Sequence, residues 1–275
     1  MQALTVGISS CPNDTYIFHA FFAGLVPAPA PLRMHMADVE ELNGLAMRAV
    51  PEVTKLSLGV VPDIMDNYAL LSSGAALGWG CGPLVIARGP MTAEERARAR
   101  VAIPGEKTTA HMLLGMTDQF HGPRTPMLFS DVMDAVREGR ADCGVIIHEG
   151  RFTYEQQGFT KLLDLGQWWE EAFHAPLPLG AIAVRRDVAR DVALAMQQAI
   201  ADSLRHANAH PEDSRQFIRD NAQELSDTVT AAHIRTFVTD YSLDLGEQGR
   251  ASITMLVEKA AAARGKRLPA EGLFL

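Results

Sequence analysis

His148 is the side chain in this sequence best suited to acid–base chemistry. It follows residues 143–147, a short apolar run that predicts a buried strand. Ligands gather at the carboxyl ends of strands in open parallel sheets, and an imidazole has an ordinary pKa of about 6.5, so it can accept a proton near neutral pH. Judged from its position alone, a structural histidine bonded to nearby backbone is the better interpretation.

Thr108 and Thr109 are the second candidate site. They lie between a predicted strand that ends at Pro104-Gly105 and a predicted helix. The first N–H groups of a helix lack intrahelical partners and carry the positive end of its dipole, which favours an anion such as a carboxylate. Judged from the residues alone, a plain N-cap is the better interpretation. A phosphate-binding loop is rejected because the Gly-Lys-Ser/Thr order and the earlier glycine are missing.

The sequence indicates no metal site and no cofactor. His206 and His210 have the i, i+4 spacing that can hold zinc, but no third ligand is evident and Pro211 ends the helix. The glycine-rich residues 78–82 precede a strand rather than a helix, unlike a dinucleotide-binding fingerprint. A loop or hinge is therefore predicted there.

The elements that must position these residues alternate between strand-like and helix-like stretches, which predicts an α/β fold with a mostly parallel sheet. Predicted strands span residues 4–8, 53–57, 83–88, 100–103, 127–129, 143–147 and 179–184. Predicted helices span residues 15–24, 108–120 and 132–138. Another helix begins at Asp38, where Glu41 completes a capping box, and ends near Pro51. Residues 91–100 are predicted to form a charged loop.

The last third of the chain is predicted to be helical, over residues 187–209, 211–221, 226–241 and 247–264. Two crossings between domains are expected, near residues 88–90 and 176–180. They predict a large discontinuous lobe of residues 1–88 and 181–275 and a small inserted lobe of residues 89–180. A cleft between two such lobes is a usual site for a small ligand.

Composition limits the class of partner. The net charge of -8 argues against nucleic-acid binding, which needs clustered Lys and Arg. No Lys or Arg precedes Arg33 and no apolar run reaches about 20 residues, so neither a signal peptide nor a membrane segment is expected. Cys11, Cys81 and Cys143 form no CxxC pair and indicate reduced thiols. A cytoplasmic protein is predicted, as a monomer or a homodimer.

Several blocks of sequence carry a family resemblance along nearly the whole chain. The two most specific are Cys-Pro-Asn-Asp-Thr at residues 11–15 and Ile-His-Glu-Gly-Arg-Phe-Thr-Tyr at residues 147–154. Further blocks lie at residues 38–43, 54–57, 82–85, 104–110, 177–182 and 224–227. Together they resemble the 1,4-dihydroxy-6-naphthoate synthases of menaquinone biosynthesis.

The resemblance implies a two-lobed, type II periplasmic binding protein-like fold with a central cleft and a helical C-terminal tail. It implies a lyase that converts a small carboxylate, cyclic dehypoxanthinyl futalosine, to 1,4-dihydroxy-6-naphthoate by base-initiated carbon–carbon cleavage without a cofactor. His148 corresponds to the family's proton acceptor. The substrate-binding positions are Lys55, Leu56, Ser57, Thr108 and Thr109.

Two alternatives stay open. One is chorismate dehydratase, a sister enzyme on the same fold, although the His-Glu-x-Arg-Phe-Thr-Tyr block favours the synthase. The other is a solute-binding protein that only carries a small acid. That class expects an export signal or a lipid-anchoring cysteine, and no apolar segment of the required kind precedes Cys11. Asn13, Asp14 and Asn43 are interpreted as helix-capping residues and are left out of the site.

Overall fold

The computed structural model describes residues 3–222 and 226–275 and alternates strands with helices. The strands are β1 (Leu4–Ile8), β2 (Leu32–Met36), β3 (Val53–Ser57), β4 (Tyr68–Leu70), β5 (Ala76–Gly78), β6 (Leu84–Ala87), β7 (Val101–Ile103), β8 (Arg124–Pro126), β9 (Cys143–Ile146), β10 (Thr160–Asp164) and β11 (Leu177–Arg185). The helices are α1 (Pro12–Phe22), α2 (Val39–Met47), α3 (Val61–Ile64), α4 (Ala93–Arg98), α5 (Thr109–Met116), α6 (Val132–Arg137), α7 (Gly150–Thr153), α8 (Leu165–Phe173), α9 (Arg190–Ala209), α10 (Arg215–Asn221), α11 (Asp227–Phe237), α12 (Asp240–Leu243) and α13 (Gly246–Ala263). None of these helices combines the length and apolar character that a bilayer crossing requires.

The chain divides into two compact units. The first comprises Met1–Gly78 and Pro178–Leu275, and the second comprises Trp79–Leu177. The lobe boundaries expected from the sequence, after residues 88 and 180, stay a prediction. In the structure β6 pairs with β9 and β10, so this strand belongs to the sheet of the second unit.

The sheet of the first unit has the strand order β2-β1-β3-β11-β4, with β5 also paired to β11. β1 runs parallel to β2 and β3, whereas β11 runs antiparallel to β3 and β4. The prediction of a mostly parallel sheet is therefore wrong. All five residues of β3 are buried. Burial of every residue shows that both faces of β3 are covered, but it carries no information on the direction of the neighbouring strand.

The sheet of the second unit has the order β10-β6-β9-β7-β8 and is also mixed. β6 is antiparallel to β9 and β10, while β7 is parallel to β8 and β9. Gly144 in β9 lets α6 pack closely on this sheet, because a Cβ there would lie 2.6 Å from a methyl group of Val132. Leu84, Ile86 and Ile146 belong to the core formed on this sheet.

The core of the first unit joins the N-terminal helix α1 to the helical C-terminal part of the chain. Phe21 of α1 and Met196 and Ile200 of α9 belong to one buried cluster. Within it, the Ser203 hydroxyl donates to the carbonyl of Ile17 at 2.6 Å and accepts from the N–H of Phe21 at 3.0 Å. The C-terminal helices are thus part of the unit that α1 and β1 begin.

Several element predictions need correction. The strand expected at residues 127–129 lies at Arg124–Pro126, and a 3₁₀ turn follows at Phe129–Asp131. The helix expected at residues 226–241 is two helices, α11 and α12. Residues 91–100 contain α4, which a Thr92 capping box starts.

The cap of α2 and the family block at residues 224–227 also bear on the predictions. Asp38 does cap α2, but it accepts from the N–H of Glu40, and no reciprocal bond from Glu41 is formed within the described residues. Residues 224 and 225 of the last family block lie outside the described residues.

Candidate functional site

His148 is held in a backbone conformation that is rare for a residue with a side chain. Its φ is 56°, in the left-handed region, and it lies two residues beyond the end of β9. Such a conformation costs about 1–3 kcal/mol and is found preferentially at functional sites. The half-buried imidazole packs edge-on against Phe129, with ring centroids 4.8 Å apart. The geometry thus fixes the direction of His148 at the carboxyl end of β9.

The segment that carries His148 is tied down by Arg151 in α7. Its Nη1 donates to the carbonyl of Gly82 at 2.6 Å, and its Nη2 lies 3.9 Å from Asp164 Oδ2. Asp164 in turn caps α8 by accepting two of its first backbone N–H groups. Arg151 was not among the predicted site residues, although its place in the block at residues 147–154 was the available signal.

Thr108 is the N-cap of α5. Its hydroxyl donates to the Gly105 carbonyl at 2.9 Å and accepts from the N–H of His111 at 3.2 Å. The hydroxyl hydrogen of Thr108 is therefore engaged in the hydrogen bond to the Gly105 carbonyl. Thr109 is buried as the first residue of α5, where the first backbone N–H groups favour an anion.

The two candidate segments of the second unit meet at one edge of its sheet. α5 follows β7, and His148 follows β9. β7 and β9 are parallel neighbours. Because the carboxyl ends of parallel strands meet at the same edge, the start of α5 and His148 both belong to that edge.

Lys55 of β3 forms a buried ion pair in the first unit. Its Nζ contacts Asp14 Oδ1, and the two side chains are 7% and 0% exposed. Burial of a lone ammonium is costly, so a lysine this deep needs a counter-charge. Asp14 supplies it from the first turn of α1.

Asp14 is a centre of hydrogen bonding rather than a helix cap. Its Oδ2 accepts from the backbone N–H and hydroxyl of Ser9 at 3.1 and 2.7 Å. Its Oδ1 accepts from Asn13 Nδ2 at 2.9 Å. Asn13 Oδ1 in turn lies 3.1 Å from Nε2 of His233, a buried residue of α11. The capping interpretation of Asp14 and Asn13 is therefore wrong, because both lie inside α1 and its N-cap is Cys11.

Ser57, the last residue of β3, is bonded twice to Asn43. The Ser57 N–H donates to Asn43 Oδ1 at 2.8 Å, and Asn43 Nδ2 donates to Ser57 Oγ at 3.1 Å. Asn43 is fully buried inside α2 rather than at its end. Its interpretation as a cap is therefore wrong. Sequence periodicity places Asn43 on a helix but does not reveal which strand the helix packs on.

Leu56 has a fully buried side chain, so only its backbone is available for binding. The neighbouring strand comes unusually close at this point. A Cβ on Gly180 would lie 2.8 Å from the Leu56 carbonyl oxygen and 3.1 Å from Lys55 Cε. The glycine thus leaves room for the Lys55 side chain beside β11.

The predicted site residues form two groups. Lys55, Leu56 and Ser57 belong to the first unit, where Asp14 and Asn43 join them. Thr108, Thr109 and His148 belong to the second unit. Arg151 joins this second group.

The cysteine thiols and possible metal ligands bear on other kinds of chemistry. Burial raises the pKa of the Cys81 thiol to about 12, and burial likewise raises the pKa of Cys143 to about 12. Neither thiol is ionised near neutral pH, so neither is an activated nucleophile. In residues 3–222 and 226–275 no three His, Cys, Asp or Glu side chains are grouped to hold a metal ion. His206 bonds instead to Asp213, at 3.0 Å.

Sequence comparisons identify relatives over nearly the full length. A model of a family described as menaquinone biosynthesis matches residues 4–262. A Thermus thermophilus protein named 1,4-dihydroxy-6-naphthoate synthase is 45% identical over 98% of this chain and 97% of its own length. A Streptomyces coelicolor protein of the same name is 41% identical over 95% of this chain and 94% of its own length.

Structural comparisons support the fold. The crystal structure of a protein from Archaeoglobus fulgidus matches with a TM-score of 0.89 and 30% identity, covering 96% of this chain and 98% of that one. A Candida albicans protein, described as having the generic periplasmic binding protein fold, matches with a TM-score of 0.69 and 12% identity, covering 96% and 90%. The periplasmic binding protein-like fold expected from the sequence is thus confirmed.

The family resemblance expected from the blocks of sequence is confirmed as well, since both named relatives align with the chain almost from end to end. The chain therefore belongs to the menaquinone biosynthesis family.

Proposed function

We propose that this protein is a 1,4-dihydroxy-6-naphthoate synthase, a lyase that converts cyclic dehypoxanthinyl futalosine to 1,4-dihydroxy-6-naphthoate. The observation that carries the proposal is the 45% identity, over 98% of the chain, to a relative of that name. We place the enzyme in the cytoplasm, where a small-molecule carboxylate is its substrate.

His148 acts as the general base in this proposal. It removes the proton from a sugar-derived hydroxyl, whose oxygen then forms a carbonyl as the adjacent carbon–carbon bond breaks. The electron pair of that bond passes into the ring system, and the sugar-derived fragment that carries the new carbonyl is released. The proton held by His148 returns to the products as the ring system becomes the aromatic naphthoate. The fixed, left-handed backbone of His148 supports this role because it directs the imidazole. A positioned base contributes about 10²–10⁴-fold to such a reaction.

The remaining residues bind and orient the substrate. The first N–H groups of α5, at Thr108 and Thr109, favour the substrate carboxylate. Ser57 offers a hydroxyl, and Leu56 offers its backbone. Lys55 contributes an ammonium group, although its contact with Asp14 offsets much of the charge.

The test is conversion by the pure protein. Incubation with cyclic dehypoxanthinyl futalosine is expected to give 1,4-dihydroxy-6-naphthoate, detected by its mass and by comparison with an authentic standard. A parallel incubation with chorismate is expected to leave chorismate unchanged. Dehydration of chorismate, or tight binding of the futalosine derivative without turnover, would reject the proposal.

A further inference from the structure

We propose that Asn43 is a positioning residue that fixes Ser57 as a hydrogen-bond donor, so that the substrate presents an acceptor oxygen to Ser57. The inference rests on the proposed function, because it deepens the role given there to Ser57. It goes further by naming a residue that acts through Ser57 and by stating the chemistry of the group that Ser57 meets.

The orientation of the Asn43 amide follows from its neighbours. The backbone N–H of Ser57 can only donate, so the atom that meets it at 2.8 Å is the amide oxygen. The Glu40 carboxylate, 3.2 Å from the other side of the amide, accepts from Nδ2. The Nδ2 hydrogens are thus directed to Glu40 and to Ser57 Oγ.

The direction of the Ser57 hydroxyl follows in turn. Because Oγ accepts a hydrogen from Asn43 at 3.1 Å, the hydroxyl hydrogen must point away from Asn43. A ligand that reaches this serine therefore meets a hydrogen first, and an oxygen without a proton is the matching partner. Lys55 lies two residues earlier on the same face of β3, and its ammonium favours the same kind of oxygen. The structure thus points to an acceptor oxygen of the substrate, such as a carbonyl oxygen, at Ser57.

Folding alone accounts for only half of this arrangement. A buried asparagine is a poor helix former, and Leu at position 43 would bury more apolar area at lower cost. The bond from the Ser57 N–H to Asn43 Oδ1 pairs a backbone donor of the last residue of β3. The second bond, from Nδ2 to Ser57 Oγ, pairs two buried side-chain groups and no backbone group. Besides satisfying them, it sets the direction of the Ser57 hydroxyl that a ligand at this serine would meet.

The experiment is a double-mutant cycle with Asn43→Leu and Ser57→Ala. Kinetic constants are measured with cyclic dehypoxanthinyl futalosine, and Kd is measured for the naphthoate product by calorimetry. Ser57→Ala is expected to raise KM and Kd about 10–100-fold, and Asn43→Leu about ten-fold, with smaller changes in kcat. In the Ser57→Ala background, Asn43→Leu is expected to change KM by less than about two-fold, because its effect passes through the missing hydroxyl.

Matched variants separate positioning from folding. Ser203→Ala removes another buried, doubly bonded serine of the same unit and is expected to lower Tm without changing KM. If Asn43→Leu fails to fold, Asn43→Asp keeps the shape and the acceptor for the Ser57 N–H but draws the hydroxyl hydrogen toward itself. This variant is expected to raise KM at least as much as Ser57→Ala.

Two results would overturn the inference. One is an Asn43→Leu effect on KM and Kd that is equally large with and without Ser57. The other is an Asn43→Asp variant with the KM and Kd of the wild type. Absence of naphthoate formation by the wild type would reject the proposed function instead, while the cycle on product Kd would still report the coupling. A product that does not bind at all would overturn both.

Discussion

The strained backbone of His148 and the buried pair of Lys55 and Asp14 are two energetically costly arrangements at residues with a proposed role. His148 occupies a left-handed conformation that only a glycine adopts without cost. Lys55 and Asp14 place opposite charges where water scarcely reaches. Neither arrangement is needed to complete a hydrophobic core. Each arrangement fixes the direction of one side chain, as the roles proposed for His148 and Lys55 require.

At this scale, Asp14→Asn is predicted to lower the free energy of unfolding by about 3–5 kcal/mol, because Lys55 keeps a buried charge without its partner. The double variant Asp14→Asn, Lys55→Met is predicted to recover most of that loss. Urea denaturation of both variants measures the difference. Asp187→Asn is the control, since Asp187 pairs with Arg185 at an exposed position and contributes less than about 1 kcal/mol.

An Asp14→Asn variant as stable as the control would show that the Lys55 ammonium does not depend on Asp14 to compensate its charge. The pair would then have no part in fixing Lys55.

Among elements, the approach of β11 to β3 determines where Lys55 and Ser57 lie. The two strands are antiparallel, and Gly180 pairs with Ser57. The direction of β11 was not predictable from its apolar sequence, and neither was the packing of α2 that brings Asn43 to Ser57. Both depend on which faces of distant elements meet, whereas periodicity reports only that each element has a buried face. The His148 segment was predictable because a strand end and its loop are local features.

Gly180→Ala is predicted to disturb the close approach of β11 to β3. The new Cβ would lie 2.8 Å from the Leu56 carbonyl oxygen, which cannot move without breaking the β3–β11 pairing. A loss of about 1–3 kcal/mol in unfolding free energy is expected, together with a higher KM as Lys55 and Ser57 shift. Thermal unfolding and steady-state kinetics measure the two effects.

Gly44→Ala in α2 is the matched control for that variant. A Cβ there meets only the end of Arg48, at 3.8 Å. Alanine inside a helix is worth up to about 1 kcal/mol over glycine, so this variant is expected to be as stable as the wild type or more so. An unchanged KM in Gly180→Ala would mean that β11 does not position the β3 residues.

For the whole molecule, the class of fold and the family were predictable because the blocks that carry them are spread in order along the chain. The lobe boundaries expected from two crossings, near residues 88–90 and 176–180, stay a prediction. The mixed direction of both sheets was not predictable, because the strands 84–87 and 177–185 look alike whichever way their neighbours run. The proposed reaction follows from family membership together with one histidine in a constrained loop.

The most direct test of that account is the rate of naphthoate formation by His148→Ala beside His174→Ala. His174 is the matched control because it lies in the same unit, also with a left-handed φ, at the end of α8. We expect His148→Ala to fold normally and to lose about 10²–10⁴-fold in kcat, whereas His174→Ala keeps the wild-type rate. Naphthoate formation by His148→Ala at the wild-type rate would show that His148 is not the general base.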